Sequence, residues 1–225
     1  MPGLQPSHRS TVERRGALVK RFDCLKFLAS LVDEHMFAVT SLSTNAPFWY
    51  NVRPQGPNFF ALNMGLCLPF ALGLAVAFPK RKVIAIDSDG SLMGDSSSLI
   101  TVADVNPANL VAFVMDNGSY AFMSETFTTR RTDLAKMAQG AGIANASTVK
   151  TLEEFSAAAE QAMESTGPTL IVAKVERDPG RVFADRSRTS GRPMREWFMD
   201  AVRRHPDYKE GQVRSTKSEA QNKIE

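Results

Sequence analysis

KVIAIDSDGS, residues 82–91, decides how this chain is read. Val83, Ile84, Ala85 and Ile86 follow one another with no polar interruption, the mark of a strand covered on both faces, as in the middle of a parallel sheet. The run stops at Asp87, and Asp89, Gly90 and Ser91 follow. A buried strand that ends in acid, glycine and hydroxyl forms a tight turn able to hold a charged group.

Working outward, two more runs have the same quality, LVAFVMD at 110–116 and TLIVAKV at 169–175. A short strand at 36–42 and another at 145–150 are weaker candidates. Apolar spacing predicts helices at 22–34, 96–105, 132–142 with Thr132 as N-cap, 151–165 and 195–204. Asn106-Pro107 stops the second of these. The Pro- and Asn-rich stretch 43–58 reads as a loop, and 63–78 as a long buried helix. The alternation of strand and helix predicts an α/β protein: an open, mostly parallel, doubly wound sheet with helices on both faces. Residues 1–20 read as a flexible arm, 21–205 as one domain and 206–225 as a disordered tail.

The bulk numbers exclude several classes. The chain has 225 residues, is 43% hydrophobic, and carries a net charge of only +3 with Lys and Arg scattered, which argues against nucleic acid as a partner. Cys24 and Cys67 give no disulfide framework, and the N-terminus lacks the apolar core of a signal peptide, so a cytoplasmic protein is expected. Phe59 to Phe78 runs without a charge and is long enough to span a bilayer. Asn63, Pro69, the small residues Gly65, Ala71, Gly73 and Ala75, and the PKRK that follows favour a core helix and no membrane.

By itself IDSDGS admits several readings. A calcium-binding EF-hand loop needs Gly at position 6 and Glu at 12; counted from Asp87, Gly falls at 4 and position 12 is Ser98, which rejects it. A phosphatase of the DxDG[ST] type fits locally, with Asp87 as nucleophile, but the later acids Asp133, Asp178 and Asp185 are isolated. A polar turn without chemistry also fits. A second cluster changes the balance: Asn117, in MDNGSY, follows Asp89 by 28 positions, with one helix and one strand between. Ligands in open α/β sheets sit at the C-terminal ends of the strands, so the two clusters would share one edge.

The pair resembles the diphosphate-binding motif of thiamine diphosphate enzymes, GDG followed some thirty residues later by an NN-like pair. ALNMGLCLPFALGLA (61–75) resembles the G-S-M-G helix that precedes GDG in that family. Over about residues 22–176 the order of segments is similar to the diphosphate-binding domain of the sulfopyruvate and phosphonopyruvate decarboxylase family. This resemblance implies a magnesium ion on the Asp89 carboxylate, the Asn117 amide oxygen and the Ser119 main-chain carbonyl, with two diphosphate oxygens and a water completing six oxygens. It implies cofactor contacts from Gly90, Ser91 and Tyr120, and more loosely from Ser41, Ser43 and Thr44. Met64 matches the apolar residue that wedges between the cofactor rings, and the Leu62 carbonyl would accept from the 4′-amino group.

The chain departs from the pattern at two places. Ser88 stands where the family has the first glycine of GDG. Ser124-Glu125-Thr126-Phe127 stands where relatives carry Gly-x-Gln-Pro in the substrate loop. No pyrimidine-binding domain fits in the chain, so the resemblance implies a second subunit that supplies it, with its activating Glu, in a hetero-oligomer built on dimers. The implied reaction is loss of CO2 from a 2-oxo acid with release of an aldehyde. Arg130 and Arg131 are candidates to meet a sulfonate or phosphonate on the substrate. Another thiamine diphosphate-dependent lyase or oxidoreductase subunit, or a catalytically silent one, is the alternative.

Overall fold

The computed structural model describes residues 18–42, 44–120, 123–177, 182–204, 206 and 208. In chain order the elements are α1 (Arg21–Leu31), β1 (Phe37–Ser41), α2 (Asn45–Val52), β2 (Asn58–Leu62), α3 (Cys67–Ala77), β3 (Val83–Ser88), α4 (Asp89–Gly94), α5 (Ser98–Val105) and β4 (Leu110–Asp116). Then come β5 (Ser119–Tyr120), β6 (Ser124–Glu125), a 3-10 turn (Phe127–Thr129), α6 (Leu134–Ala141), β7 (Asn145–Val149), α7 (Leu152–Glu164), β8 (Thr169–Lys174), α8 (Arg186–Thr189) and α9 (Gly191–Arg204).

Six strands form one parallel sheet in the order β2-β1-β3-β4-β8-β7. The continuous apolar runs are explained by its two covers. Val83 and Ala85 of β3, with Leu110, Ala112 and Val114 of β4, pack against residues of α3, α5, α6 and α9 such as Leu68, Val102, Ala138 and Phe198. Their neighbours Ile84, Ile86, Val111, Phe113 and Met115 pack on the other face with Leu25, Leu28, Trp49, Phe155 and Ala159. Successive strand residues point to opposite faces, so a strand buried on both sides has no polar alternation. The expected doubly wound α/β fold is present. The chain winds outward from β1 to β2 in one direction, and from β3 through β4 in the other. The reversal between β1 and β3 opens a crevice at their C-terminal ends.

Two expectations fail in the same region. Residues 43–58 are not a loop: Asn45–Val52 form α2, and Asn58 begins β2. The long helix expected at 63–78 is shorter, Cys67–Ala77, because Phe59 to Leu62 belong to the edge strand β2. The apolar run was a strand and a helix in tandem, broken at Asn63–Leu66, where Gly65 has φ +80° and the Leu66 N–H donates to the Asn63 carbonyl at 3.0 Å. Between α2 and β2 a buried network holds the chain. Asn58 Oδ1 accepts from Trp49 Nε1 and Arg53 NH1, both at 2.9 Å, and Asn58 Nδ2 donates to the carbonyls of Arg53 and Gln55. The N-cap of α6 is Asp133, whose carboxylate accepts from the Lys136 N–H, not the expected Thr132. Val19, assigned to the arm by its sequence, forms a parallel bridge with Val175 and is buried. The rest of that arm to residue 17, and the tail apart from Pro206 and Tyr208, lie outside the described residues. Among the described residues no helix is long and apolar enough to cross a membrane.

Candidate functional site

The C-terminal ends of β1, β3 and β4 carry Ser41, Ser88 and Asp116, and the two sequence clusters meet there. At the end of β3 the chain goes straight into a helix. Asp89, expected on a turn, is the first residue of α4 and only 1% exposed. Ser88, the departure from the family's glycine, is the N-cap: it is extended, at φ −120°, and its hydroxyl accepts from the Ser91 N–H at 3.4 Å. A residue with that φ needs no glycine, which explains why a serine is accepted here. Gly90 does need to be glycine, since a Cβ there would stand 2.5 Å from the Tyr120 ring. That contact brings the second cluster onto the first.

In the second cluster Gly118, at φ +66°, turns the chain out of β4 into β5, which pairs antiparallel with β6. Asn117 Oδ1 accepts from the Ser119 N–H at 3.0 Å, and Asp116 Oδ1 accepts from the Gly118 N–H at 3.0 Å. The hairpin folds Thr126 and Thr128 over the two acids. Thr126 Oγ1 donates to Asp89 Oδ2 at 2.6 Å, Thr128 Oγ1 donates to Asp116 Oδ1 at 2.8 Å, and the two hydroxyls lie 2.7 Å apart. Lys174, at the end of β8, closes the row with an ion pair to Asp116 Oδ2. Burial pushes the Asp89 carboxyl up to about 6, with the Thr126 hydrogen bond opposing the shift and the charge of Asp116 adding to it.

Asp87 plays a different part. It is buried, Oδ1 accepts from the Ser88 N–H at 2.9 Å, and Oδ2 has no hydrogen-bond partner. Burial lifts it also to about 6; the nearby Ser91 and Ser41 hydroxyls lower it in part without making a well-formed bond to Oδ2. Ser91 is itself buried, and its hydroxyl accepts from the Gly65 N–H at 3.2 Å, tying the loop before α3 to α4. Ser41 is buried and accepts from Asn45 Nδ2, which also donates to the Asp87 carbonyl at 2.8 Å and so bridges β1 and β3. Thr44 precedes α2 as its N-cap residue, while Ser43 lies outside the described residues.

At the β1–β2 end, Ala61 has φ 56°, a strained value for alanine, and its N–H is held by Thr40 Oγ1 at 3.1 Å. The strain sets the direction of Leu62, whose carbonyl already accepts from the Leu42 N–H at 2.8 Å and keeps one lone pair for a further donor. Met64 is 48% exposed, so it does not pack in the core.

The fold sets Tyr120 against Gly90, with Asn117 and Ser119 on the segment that leads into Tyr120 and Asp89 beside Gly90, while Thr126, Thr128, Lys174 and Asn45 carry contacts here that the sequence did not single out. Lys174 had a signal, a lone cation ending an apolar strand. The threonines had none, because only the hairpin turns them toward the acids. Arg130 and Arg131 line a separate cavity with Lys174.

Fold and site together define a domain that binds thiamine pyrophosphate: residues 41–173 match the family described as "Thiamine pyrophosphate enzyme, C-terminal TPP binding domain". The chain is 33% identical to sulfopyruvate decarboxylase subunit beta of Methanocaldococcus jannaschii over 158 residues, covering 69% of this chain and 83% of that one. It is 28% identical to phosphonopyruvate decarboxylase of Streptomyces viridochromogenes, covering 70% of this chain but only 40% of that longer one. In structure it is similar to the thiamine diphosphate-dependent 4-hydroxybenzoylformate decarboxylase of Rhodococcus jostii RHA1, with a TM-score of 0.61 at 22% identity over 80% of this chain and 36% of that one, a likeness of fold. The chain belongs to the thiamine pyrophosphate enzymes, in the sulfopyruvate and phosphonopyruvate decarboxylase family.

Proposed function

We propose that this chain is the diphosphate-binding, beta-type subunit of a cytoplasmic thiamine diphosphate- and magnesium-dependent 2-oxoacid decarboxylase, similar to sulfopyruvate decarboxylase. The observation that carries the reading is the meeting of Asp89-Gly90 with Asn117-Gly118-Ser119 across adjacent strand ends, sealed by the Tyr120 ring over Gly90. The donors fit the group. A carboxylate, an amide oxygen and a main-chain carbonyl are hard oxygen ligands of the kind magnesium takes, with phosphate and water supplying the rest. Among the described residues no three His, Cys, Asp or Glu side chains cluster as a complete metal cage, which suits an ion that shares its shell with a ligand.

Asp89, Asn117 and the Ser119 carbonyl would hold the ion. Gly90 lets a phosphate approach the backbone. Asp87 holds the Ser88 N–H through Oδ1 and so fixes the entry to α4. Met64, exposed at the rim, would support the bent cofactor, and the free lone pair of the Leu62 carbonyl would accept its amino group. When bound, thiamine diphosphate supplies a nucleophilic carbon and an electron sink for loss of CO2 from the 2-oxo acid. A partner subunit with a pyrimidine-binding domain would supply the activating Glu and complete a hetero-oligomer.

Calorimetry with thiamine diphosphate and magnesium, on the chain with its co-purified partner, tests the assignment. Saturable binding that needs the metal is expected. Asp89→Ala should weaken it a hundredfold or more while circular dichroism keeps the folded signature. No binding by either the chain or its complex would sink the proposal.

A further inference from the structure

Beside the diphosphate crevice, at the C-terminal ends of β7 and β8, lies a second cavity of about 530 Å³. Its wall carries Arg130, Arg131, Lys136, Lys150 and Lys174, against one acid, Asp133. Asp133 is already engaged by Lys136, accepting its N–H at 3.1 Å and meeting its Nζ at 3.8 Å, and Lys174 is committed to Asp116. Arg130, Arg131 and Lys150 make no ion pair with any described residue. The whole chain carries a net charge of only +3, so five cations against one acid make this concavity far more positive than the surface at large. Like charges set close together repel, and a bound anion relieves that repulsion. Thr148 adds a hydroxyl donor, over a floor that includes the buried Leu134 and Val172.

We infer that this cavity is a second anion site, built for a small molecule bearing a phosphate or another doubly charged oxyanion group. The volume lies in the range of small-molecule pockets and exceeds what a bare oxyanion fills, so the ligand has a body as well as a charged head. Arginine and lysine together suit it, the planar guanidinium for paired oxygens and the ammonium as a point charge. The site shares no residue with the proposed diphosphate and metal set. Its wall is nonetheless the back of that set: Thr128 and Lys174 line the cavity and both bond Asp116. An anion that draws Lys174 toward itself loosens Asp116, and with it the hydroxyl row that ends on Asp89. Occupancy of the second site is thereby coupled to the first.

The test uses the full chain without thiamine diphosphate or magnesium, titrated with inorganic phosphate and, at matched ionic strength, with chloride. Saturable phosphate binding is expected, tighter than chloride and weaker as salt rises. The double variant Arg131→Ala/Lys150→Ala should lose tenfold or more of the affinity. Both side chains are exposed, so its unfolding temperature in phosphate-free buffer should stay within a few degrees of the parent. Phosphate binding no tighter than chloride would overturn the inference, and so would binding that the double variant leaves unchanged, since the anion would then sit elsewhere. A parallel titration with thiamine diphosphate and magnesium reads the proposed function separately. Either result can fail while the other stands.

Discussion

Asp87 and Asp89, two residues apart, are both carboxyls pushed up to about 6, chiefly by burial, with different consequences. For Asp87 the folded chain binds its proton more tightly than the unfolded chain, where the ordinary value is 3.8. Stability is therefore complete below about 4, falls as pH rises toward 6, and is level beyond; the shift corresponds to roughly 3 kcal/mol. Thermal unfolding from pH 4 to 8 should show that decline, and Asp87→Asn should flatten part of it and raise the unfolding temperature at pH 8. An Asp87→Asn protein less stable than the parent at pH 8 would contradict this account of the site. For Asp89 the same proton stands in the way of a metal, so magnesium affinity is expected to climb as pH passes through about 6. At this scale Asp89, Gly90 and Asn117 were legible as candidates because their types and spacing resemble a family motif. Thr126 and Thr128 were not legible, since their link to the acids exists only once the hairpin closes.

At the scale of elements, β3, β4 and β8 were plain, since a strand covered on both faces is written as an unbroken apolar run. Helix α7 was plain too. Thr151 and Glu154 form a full capping box, with Thr151 Oγ1 accepting from the Glu154 N–H. The α2–β2 segment was illegible because its order comes from a buried polar network, which apolar periodicity does not record. Arg53 and Asn58 are buried and satisfied almost wholly by each other, by main-chain carbonyls and by Trp49. Asn58→Ala leaves the buried Trp49 N–H without its acceptor and removes one of the acceptors of Arg53. It should cost about 3 kcal/mol, against about 1 kcal/mol for Thr151→Ala. Urea unfolding of the two variants checks the order. Equal losses would mean that the network adds little beyond an ordinary cap.

At the scale of the whole molecule, the chain covers 83% of a relative named as a subunit beta but only 40% of a longer decarboxylase, and the proposed function therefore calls for a second subunit. Met64, Leu66 and Phe127, large apolar side chains about half to two-thirds exposed, are surface that such a partner would cover. The purified chain with thiamine diphosphate, magnesium and a panel of 2-oxo acids is expected to release little CO2, and to gain activity when the partner is added. Full turnover by this polypeptide alone would refute the two-subunit reading.

The sequence by itself determined the fold class and the pairing of the two motif loops. Apolar continuity and the spacing of acid, glycine and amide are local properties, and hydrophobic burial on both faces of a sheet leaves few ways to arrange them. That residues 58–62 are an edge strand, and that Lys174 and two threonines close over the acids, became visible only in the folded chain. Those contacts join separate segments once the sheet is assembled, and no spacing along the chain records them.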